Sequence, residues 1–253
     1  MSTGIRPEVV QNAVNPKGRP PYAGPTGTVR GVVRVSGDTA PIRDEVLAQI
    51  GDACAGSRAF YGPAFREGPG RALADALVAV TGYEGYVPPR GESVRVEIDA
   101  CAYKRRTYGV MFGQRLDVFN LDSQPYMPRL LRTKTAAVMV ALPRGEAIPL
   151  LPPKPGRYAL VDEMRSGPHA DVFVVQYPTF DITELDGRFE ITGVPVGEVD
   201  VSALLPLTMA AVKERVTVKA GEASEVTLTI AYERPKAEPA AKPGASAPGP
   251  VVH

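Results

Sequence analysis

Apolar and polar residues alternate with a period of two along most of this 253-residue chain. Side chains of a β-strand point alternately to opposite faces of a sheet, so this period predicts strands with one buried face. Turn residues separate the runs, and Gly and Pro number 25 and 26. A single helix is predicted at 42–56, with at most two turns before Gly51. The chain is therefore predicted to be all-β, with strands at 28–35, 73–82, 93–99, 115–120, 135–142, 157–161, 171–176, 188–194, 198–205, 211–218 and 224–232.

The charge of the chain is nearly balanced, with 29 Lys and Arg against 28 Asp and Glu and a net charge of +1. This balance provides no general attraction to nucleic acid or to an anionic membrane. No apolar run approaches the roughly 20 residues that a membrane span requires. We therefore expect no nucleic-acid partner and no membrane span.

A local basic cluster, YKRRTY at 103–108, lies between tyrosines. Basic and aromatic residues together are found in surfaces that bind single-stranded nucleic acid. Alternating basic residues are also a common protection of exposed edge strands against aggregation. We interpret the cluster as a solvated edge strand.

Histidine is nearly absent, since the chain contains only His169 and the terminal His253. General base catalysis and Ser-His-Asp chemistry most often depend on histidine. No P-loop, G-x-G-x-x-G or H-E-x-x-H motif is present. The sequence predicts a protein that is not an enzyme and has no cofactor.

The two ends of the chain differ in composition from its centre. Residues 1–26 are rich in Pro, Gly, Asn and charge and predict a flexible arm, while 233–253 is a Pro/Ala-rich stretch that predicts a disordered tail. The start has no apolar segment typical of a signal peptide. A cytosolic protein, a form without its leader and a misplaced start site all remain open. Cys54 and Cys101, by their number and spacing alone, fit either one disulfide or two buried thiols.

The segment 179–230 contains a turn, a G-V-P-x-G motif and a later V-x-V-x-x-G motif in a characteristic order. It resembles the carboxypeptidase regulatory-like, or transthyretin-like, domain, whose two opening strands are similar to 27–37 and 73–82. The Asp186-Gly187 pair is also a strong hairpin signal, and Pro195 and Gly197 predict a second tight connection. The matching residues are Asp186, Gly187, Phe189, Ile191, Gly193, Val194, Pro195, Gly197, Val216, Val218 and Gly221.

In this resemblance the third strand should follow soon after the second, yet a long segment intervenes before Thr179. Domain insertion is tolerated where a surface loop brings its ends together. We therefore predict a nested arrangement. The outer, discontinuous domain comprises 27–89 and 178–232, and the inserted domain comprises 90–177.

The inserted segment resembles cupredoxin-like domains, the small Greek-key β-sandwiches of blue-copper proteins. The resemblance rests on 101–127, although Arg105 stands where that family has proline. It implies a transthyretin-like β-sandwich with a nested cupredoxin-like β-sandwich. The matching residues are Val110, Gly113, Leu116, Val118, Asn120 and Asp122.

Blue copper requires two imidazoles and a thiolate, usually with a weak axial thioether. By the spacing of the family pattern, all four ligand positions are replaced in this chain. The resemblance therefore implies a cupredoxin-like domain that has lost its copper site. Asp162, Glu163 and His169 could hold a hard cation, but we favour a solvated acidic turn with a lone surface histidine. The former ligand positions are Tyr126, Asp162, Arg165 and Pro168.

Cys101 opens the inserted domain in the family pattern, and some relatives with this nested layout carry a second cysteine where Cys54 stands. The resemblance implies a Cys54–Cys101 disulfide that ties the two domains together. The alternative is two buried thiols in a reducing cytosol. A disulfide would indicate that the protein is located in the periplasm or cell envelope, and the alternative location is the cytoplasm.

These features predict a non-catalytic binding or scaffolding protein, an accessory subunit of an exported or envelope-associated assembly with other protein subunits as partners. The sequence names no small-molecule ligand. The alternatives are a copper-handling or electron-transfer protein with an atypical site and a carbohydrate-binding module. Aromatic, Gly- and Pro-rich loops predict the contact surface, with Tyr61, Phe65, Tyr83 and Tyr86 as candidates.

Overall fold

The computed structural model of the protein describes residues 5–133 and 139–235, which form two packed halves built from strands. The chain first forms β1 (Thr26–Gly37), β2 (Glu67–Gly68), β3 (Ala72–Leu73) and β4 (Leu77–Thr81). There follow β5 (Ser93–Asp99), β6 (Ala102–Tyr103), β7 (Thr107–Met111), β8 (Arg115–Asn120), β9 (Pro128–Leu130), β10 (Ile148–Leu150), β11 (Gly156–Asp162) and β12 (His169–Val175). The last are β13 (Phe180–Ile182), β14 (Arg188–Pro195), β15 (Gly197–Leu205), β16 (Ala210–Val218) and β17 (Ala223–Tyr232). We call β1–β4 with β13–β17 the outer half and β5–β12 the inner half.

The outer half is a sandwich of two sheets. In one sheet, β1 pairs antiparallel with β14 and β3 and parallel with β17, while β2 extends the sheet beyond β3. The other sheet has the order β13-β4-β15-β16. Strand β4, which precedes the inner half in sequence, thus pairs with β13 and β15, which follow it. The predicted nested arrangement requires this pairing. Between the sheets lie alternate residues of the strands, among them Val29, Val33, Val78, Val201 and Leu228.

The inner half is a second sandwich, with strand orders β10-β8-β5-β6 and β7-β12-β11-β9. The pairs β5/β8 and β7/β12 are parallel and the other neighbours are antiparallel. The predicted all-β fold is confirmed. The buried core includes Val96, Val110, Leu116, Leu160 and Val172.

The turn at Asp186-Gly187 forms as predicted, but it does not connect a hairpin. Gly187 has φ 73° and its N–H donates to the Glu184 carbonyl. However, β13 pairs with β4 whereas β14 pairs with β1, so the turn carries the chain between the two sheets. The reason is the shared core, where Phe189 and Ile191 of β14 are buried against both sheets.

Short helices connect the strands: α1 (Pro7–Val14), α2 (Asp44–Leu47) and α3 (Arg58–Tyr61), with 3-10 turns at Asp52–Ser57 and Pro69–Arg71. The helix predicted at 42–56 is divided, because α2 ends before Gly51 and a 3-10 turn follows. Among the described residues, no helix has the length and apolar character needed to cross a membrane.

The prediction of a flexible arm at 1–26 is wrong for α1. Proline is well tolerated in the first helical turn, where Pro7 lies, and Val10, Ala13 and Val14 share one helix face. That face packs against the core of the inner half, and Gln176 Nε2 donates to the Ala13 carbonyl over 2.7 Å. Residues 236–253 of the predicted tail lie outside the described residues. So do 135–138 of the strand predicted at 135–142, whose other residues form only an isolated bridge between Ala141 and Tyr126.

Two apolar clusters lie where the halves meet. In the first, Ile50, Cys54 and Tyr61 pack with Cys101. In the second, Phe173 of the inner half packs against Leu77 and Ile182 of the outer half. The halves approach so closely that a Cβ added at Gly109 would overlap the Phe180 ring. This joint positions the candidate site.

Candidate functional site

The loop 120–127, which begins in the predicted N-x-D motif, is held together by its own side chains. Buried Asn120 donates to the carbonyls of Gln124 and Ala141 at 2.7 and 2.8 Å. Tyr126 is fully buried, and its hydroxyl donates to Asp122 Oδ2 at 2.6 Å. Burial opposes the charge of Asp122, but the hydrogen bond from Tyr126 and the backbone N–H groups of Cys101 and Ser123 outweigh it and lower its pKa.

The loop 162–168 is closed in the same way. The Asp162 carboxylate accepts backbone N–H groups from Met127, Met164 and Arg165, the last two at 3.0 and 2.7 Å. Burial of this carboxyl group raises its pKa. Arg165 donates to Gln124 Oε1 at 3.0 Å, and its guanidinium lies 5.5 Å from the centre of the Tyr126 ring.

The two loops, 120–127 and 162–168, therefore contact each other. We call them the former metal loops after the predicted ligand positions that they carry, and the loss of a copper site stays a prediction. A surface cavity of about 340 Å³ lies beside α2 and is lined by Asp162, Arg165 and buried Pro168. Tyr126 does not line this cavity but contacts the Arg165 guanidinium with its ring. Within the described ranges, no group of three or more His, Cys, Asp or Glu side chains is placed to hold a metal ion.

His169 is not the surface residue that we expected. Its ring stacks on Tyr61 with 4.5 Å between the ring centres, and Nδ1 lies 2.7 Å from the Gly167 carbonyl oxygen. Burial lowers its pKa, so the neutral form is favoured near neutral pH. The side chain belongs to the joint between the halves.

The Cys54–Cys101 disulfide is confirmed, and both residues are buried in the joint. The prediction of a contact loop, by contrast, is wrong for two of its four aromatic residues. Tyr61 is 0% exposed, because it packs in the apolar cluster of the joint, where its hydroxyl accepts the backbone N–H groups of Tyr103 and His169. Phe65 is 3% exposed and packs on Tyr232 in the outer core.

Tyr83 and Tyr86 are half-buried, so their role in contact stays a prediction. The Tyr83 hydroxyl lies 2.9 Å from Thr179 Oγ1, and the Tyr86 carbonyl accepts the N–H of Tyr22. These bonds hold the loop in place and leave part of each ring at the surface.

A cavity of about 240 Å³, which we call the inter-half cavity, lies between the halves and was not predicted. Side chains from both halves line it, and its walls are both charged and apolar. The charged residues are Arg43, Arg66, Asp75, Arg106, Arg157 and Asp171. The apolar residues include Phe65, Leu205, Pro206 and Leu207.

The two carboxylates of the inter-half cavity are each paired with one arginine. Asp75 accepts from Arg66 Nε and Nη2 at 2.6 and 2.8 Å, a bidentate pair, and from the Arg106 backbone N–H at 2.9 Å. Asp171 accepts from Arg157 Nε at 2.8 Å. Two arginines, Arg43 and Arg106, are therefore left without a carboxylate of their own in this cavity.

The interpretation of YKRRTY as a solvated edge strand holds for Lys104 and Arg105, whose side chains are exposed beside the edge strands β6 and β7, but it is wrong for Arg106. The residue is 8% exposed, and Nη1 donates to the carbonyls of Pro63 and Ala64 at 2.7 and 3.3 Å. Burial lowers its pKa to about 10. Tyr103 and Tyr108 are buried too, in the core of the inner half. The cluster was visible in the sequence, but nothing local distinguishes a buried arginine from an exposed one.

No family model and no curated protein matches the chain. Among solved structures it is similar to a reduced amicyanin mutant, with 16% identity, a TM-score of 0.29 and coverage of 32% of this chain and 81% of that chain. It is similar to a purple cupredoxin from Nitrosopumilus maritimus, with 15% identity, a TM-score of 0.29 and coverage of 32% and 97%.

A copper-containing nitrite reductase from Thermus scotoductus SA-01 is also similar, with 15% identity and a TM-score of 0.28. The match covers 38% of this chain and only 25% of the reductase. These likenesses concern a cupredoxin-like fold in part of the chain. The transthyretin-like resemblance stays a prediction.

Proposed function

We propose that the protein is a non-catalytic binding or scaffolding subunit of an exported or envelope-associated assembly. The observation that carries the proposal is the closure of the former metal loops. Tyr126, Asp162 and Arg165 each engage neighbouring groups of the same loops through hydrogen bonds. A soft thiolate and paired imidazoles, which blue copper requires, are replaced by groups that hold the loops to each other.

The joint between the halves supports the scaffolding part of the proposal. The disulfide, two apolar clusters and the hydrogen bonds of Tyr61 and Asp75 connect the halves. Such a joint holds surface loops of both halves at a fixed separation, which suits a protein that presents two surfaces to partners. A structural disulfide is typical of oxidising compartments outside the cytoplasm, which supports export.

The first test is the native mass of the protein after gentle extraction from its own cells. We expect a defined complex that is larger than the 26.9 kDa chain. A Tyr86→Ala variant should weaken this complex if the loop is a contact surface, whereas Tyr177→Ala, at another half-buried tyrosine, serves as the matched control. A monomer in repeated preparations would contradict the proposal.

Copper handling or electron transfer is the alternative that the cupredoxin-like fold itself favours. Metal-free protein should be titrated with Cu(I) and Cu(II), with a copper-binding cupredoxin as positive control. We expect no stoichiometric binding and no intense visible absorption, because the former metal loops offer neither thiolate nor paired imidazoles. One equivalent of tightly bound copper would reverse the assignment.

A further inference from the structure

We propose that the inter-half cavity binds a small organic anion that combines an oxyanion head group with a short apolar body. The first observation is the balance of charge within the cavity. Four arginines and two aspartates line it, and both aspartates already pair with Arg66 and Arg157. An anion would therefore find uncompensated positive charge from Arg43 and Arg106.

The second observation is the state of the Arg106 guanidinium. Nη1 is engaged by two carbonyls, but Nε and Nη2 are buried and have no hydrogen-bond partner among the described residues. These two nitrogens form one edge of the planar group, and their parallel N–H bonds match the two oxygens of a carboxylate or phosphate. A buried charged donor without a partner is costly, so a shift of the side chain that brings this closed edge to a ligand oxygen would be stabilising.

Arg43 provides a second donor from another element. It precedes α2, its Nη2 donates to the Tyr61 carbonyl at 2.9 Å, and its Nε is buried without a partner in the described chain. Since Arg43 belongs to the outer half and Arg106 to the inner half, a bound anion would be held from both sides. Ligand sites occur preferentially at such domain boundaries.

The size and the apolar wall of the inter-half cavity restrict the ligand further. Its volume of about 240 Å³ is below the roughly 300–1,000 Å³ of typical sites for drug-sized ligands, so the ligand must be small. Phe65, Leu205 and Leu207 form an apolar wall that would exclude water from a short hydrocarbon body. This site does not depend on whether the chain assembles with a partner.

The test uses the full chain and three probes of similar length: hexanoate, hexyl phosphate and hexan-1-ol. Each is titrated at constant ionic strength while the melting temperature and the heat of binding are measured. We expect a saturable rise in melting temperature with at least one anion and none with the alcohol. A response to only one anion identifies the head group. No saturable response to either anion, or an equal response to the alcohol, would overturn the proposal.

Substitutions of Arg43 and Arg106 test whether these two arginines bind the anion. Arg43→Gln and Arg106→Met should each weaken anion binding at least tenfold. Arg30→Gln removes the same charge from an exposed ion pair with Glu225 and should leave binding unchanged. If Arg106→Met does not fold, Arg43→Gln against Arg30→Gln decides the question. Equal affinity of these two variants would contradict the site.

Discussion

The former metal loops and the inter-half cavity use the same residue types in opposite ways. In the loops, the Tyr126 hydroxyl donates to Asp122 and the Asp162 carboxylate accepts three backbone N–H groups. In the cavity, Arg43 and Arg106 keep buried N–H groups that have no partner in the part of the chain that the structure describes. Because buried polar groups are nearly always hydrogen-bonded in proteins, the second situation requires an explanation and the first does not.

This difference separates two kinds of polar cluster. A fully satisfied network makes a loop rigid, and removing one member leaves its neighbour unpaired. A cluster with spare buried donors is already unsatisfied, so removing a donor costs little while adding an acceptor is stabilising. The effects of substitutions on stability should therefore differ in size between the two regions. In the cavity, the effect should also depend on whether an arginine or an aspartate is replaced.

The largest effect is expected from the disulfide, which anchors the former metal loops because the Cys101 N–H donates to Asp122 at 3.0 Å. The double variant Cys54→Ser/Cys101→Ser opens a loop with a sequence separation of 47. In the chain-entropy model this lowers the free energy of unfolding by about 4 kcal/mol. Urea denaturation measures the change, and the reduced wild-type protein should give a similar value. A loss below about 1 kcal/mol would show that the joint holds without the covalent link.

The second largest effect is expected at Asp75, the acceptor that balances Arg66 and holds the Arg106 backbone. Asp75→Asn keeps the size of the side chain and tolerates the residue's φ of 62°, but it removes the charge. The free energy of unfolding should fall by about 3 kcal/mol, because the half-buried Arg66 loses its bidentate counter-ion.

Asp52→Asn is the matched control for this variant, since the Asp52 side chain is fully exposed in its pair with Arg58. Its effect should stay below about 1 kcal/mol, as for other surface ion pairs. Equal losses of unfolding free energy in Asp75→Asn and Asp52→Asn would contradict the expectation that the ion pair in the joint contributes more than one at the surface.

A smaller effect is expected from Tyr126→Phe in the former metal loops. The variant removes one hydrogen bond to a carboxylate, and we expect a loss of about 2 kcal/mol at neutral pH. Tyr158→Phe is the control, because its hydroxyl donates to the uncharged Lys154 carbonyl at 2.8 Å and should contribute about 1 kcal/mol.

The two tyrosine variants should differ in their pH dependence. The folded state lowers the pKa of Asp122 below its usual 3.8, so the stability contributed by the charged form is present above pH 3.8. That contribution is lost as the pH falls through the lower, folded pKa. The penalty of Tyr126→Phe should therefore shrink in acid while that of Tyr158→Phe stays constant. Urea titrations between pH 7 and 3 test this, and parallel curves would contradict the role of Asp122.

The sequence predicted the strands well, because period-2 alternation reports directly which face of a sheet is buried. It also selected the loops 120–127 and 162–168, which contact each other in the structure, because N-x-D and the ligand spacing are local patterns. That they once held a metal stays a prediction. It missed α1, where the few apolar residues of the arm share a helix face only once the inner core is present. Arg106 and Tyr61 were misjudged for a related reason, because their burial results from contact between two halves that are distant in sequence.

The smallest effects on stability are expected from replacing one arginine in each region. This pair compares the former metal loops with the inter-half cavity most directly, because the same residue type is changed in both. Arg165→Gln removes donors that are engaged with Gln124 and the face of Tyr126, and we expect a loss of about 1 kcal/mol. Arg43→Gln removes a partly buried charge without a carboxylate partner in the cavity. Its stability should stay within about 0.5 kcal/mol of wild type, because relief of the buried charge offsets the bond to the Tyr61 carbonyl. Urea denaturation of both variants decides the matter. A larger loss at Arg43 than at Arg165 would mean that the cavity arginine supports the fold itself, which the unpartnered Nε argues against.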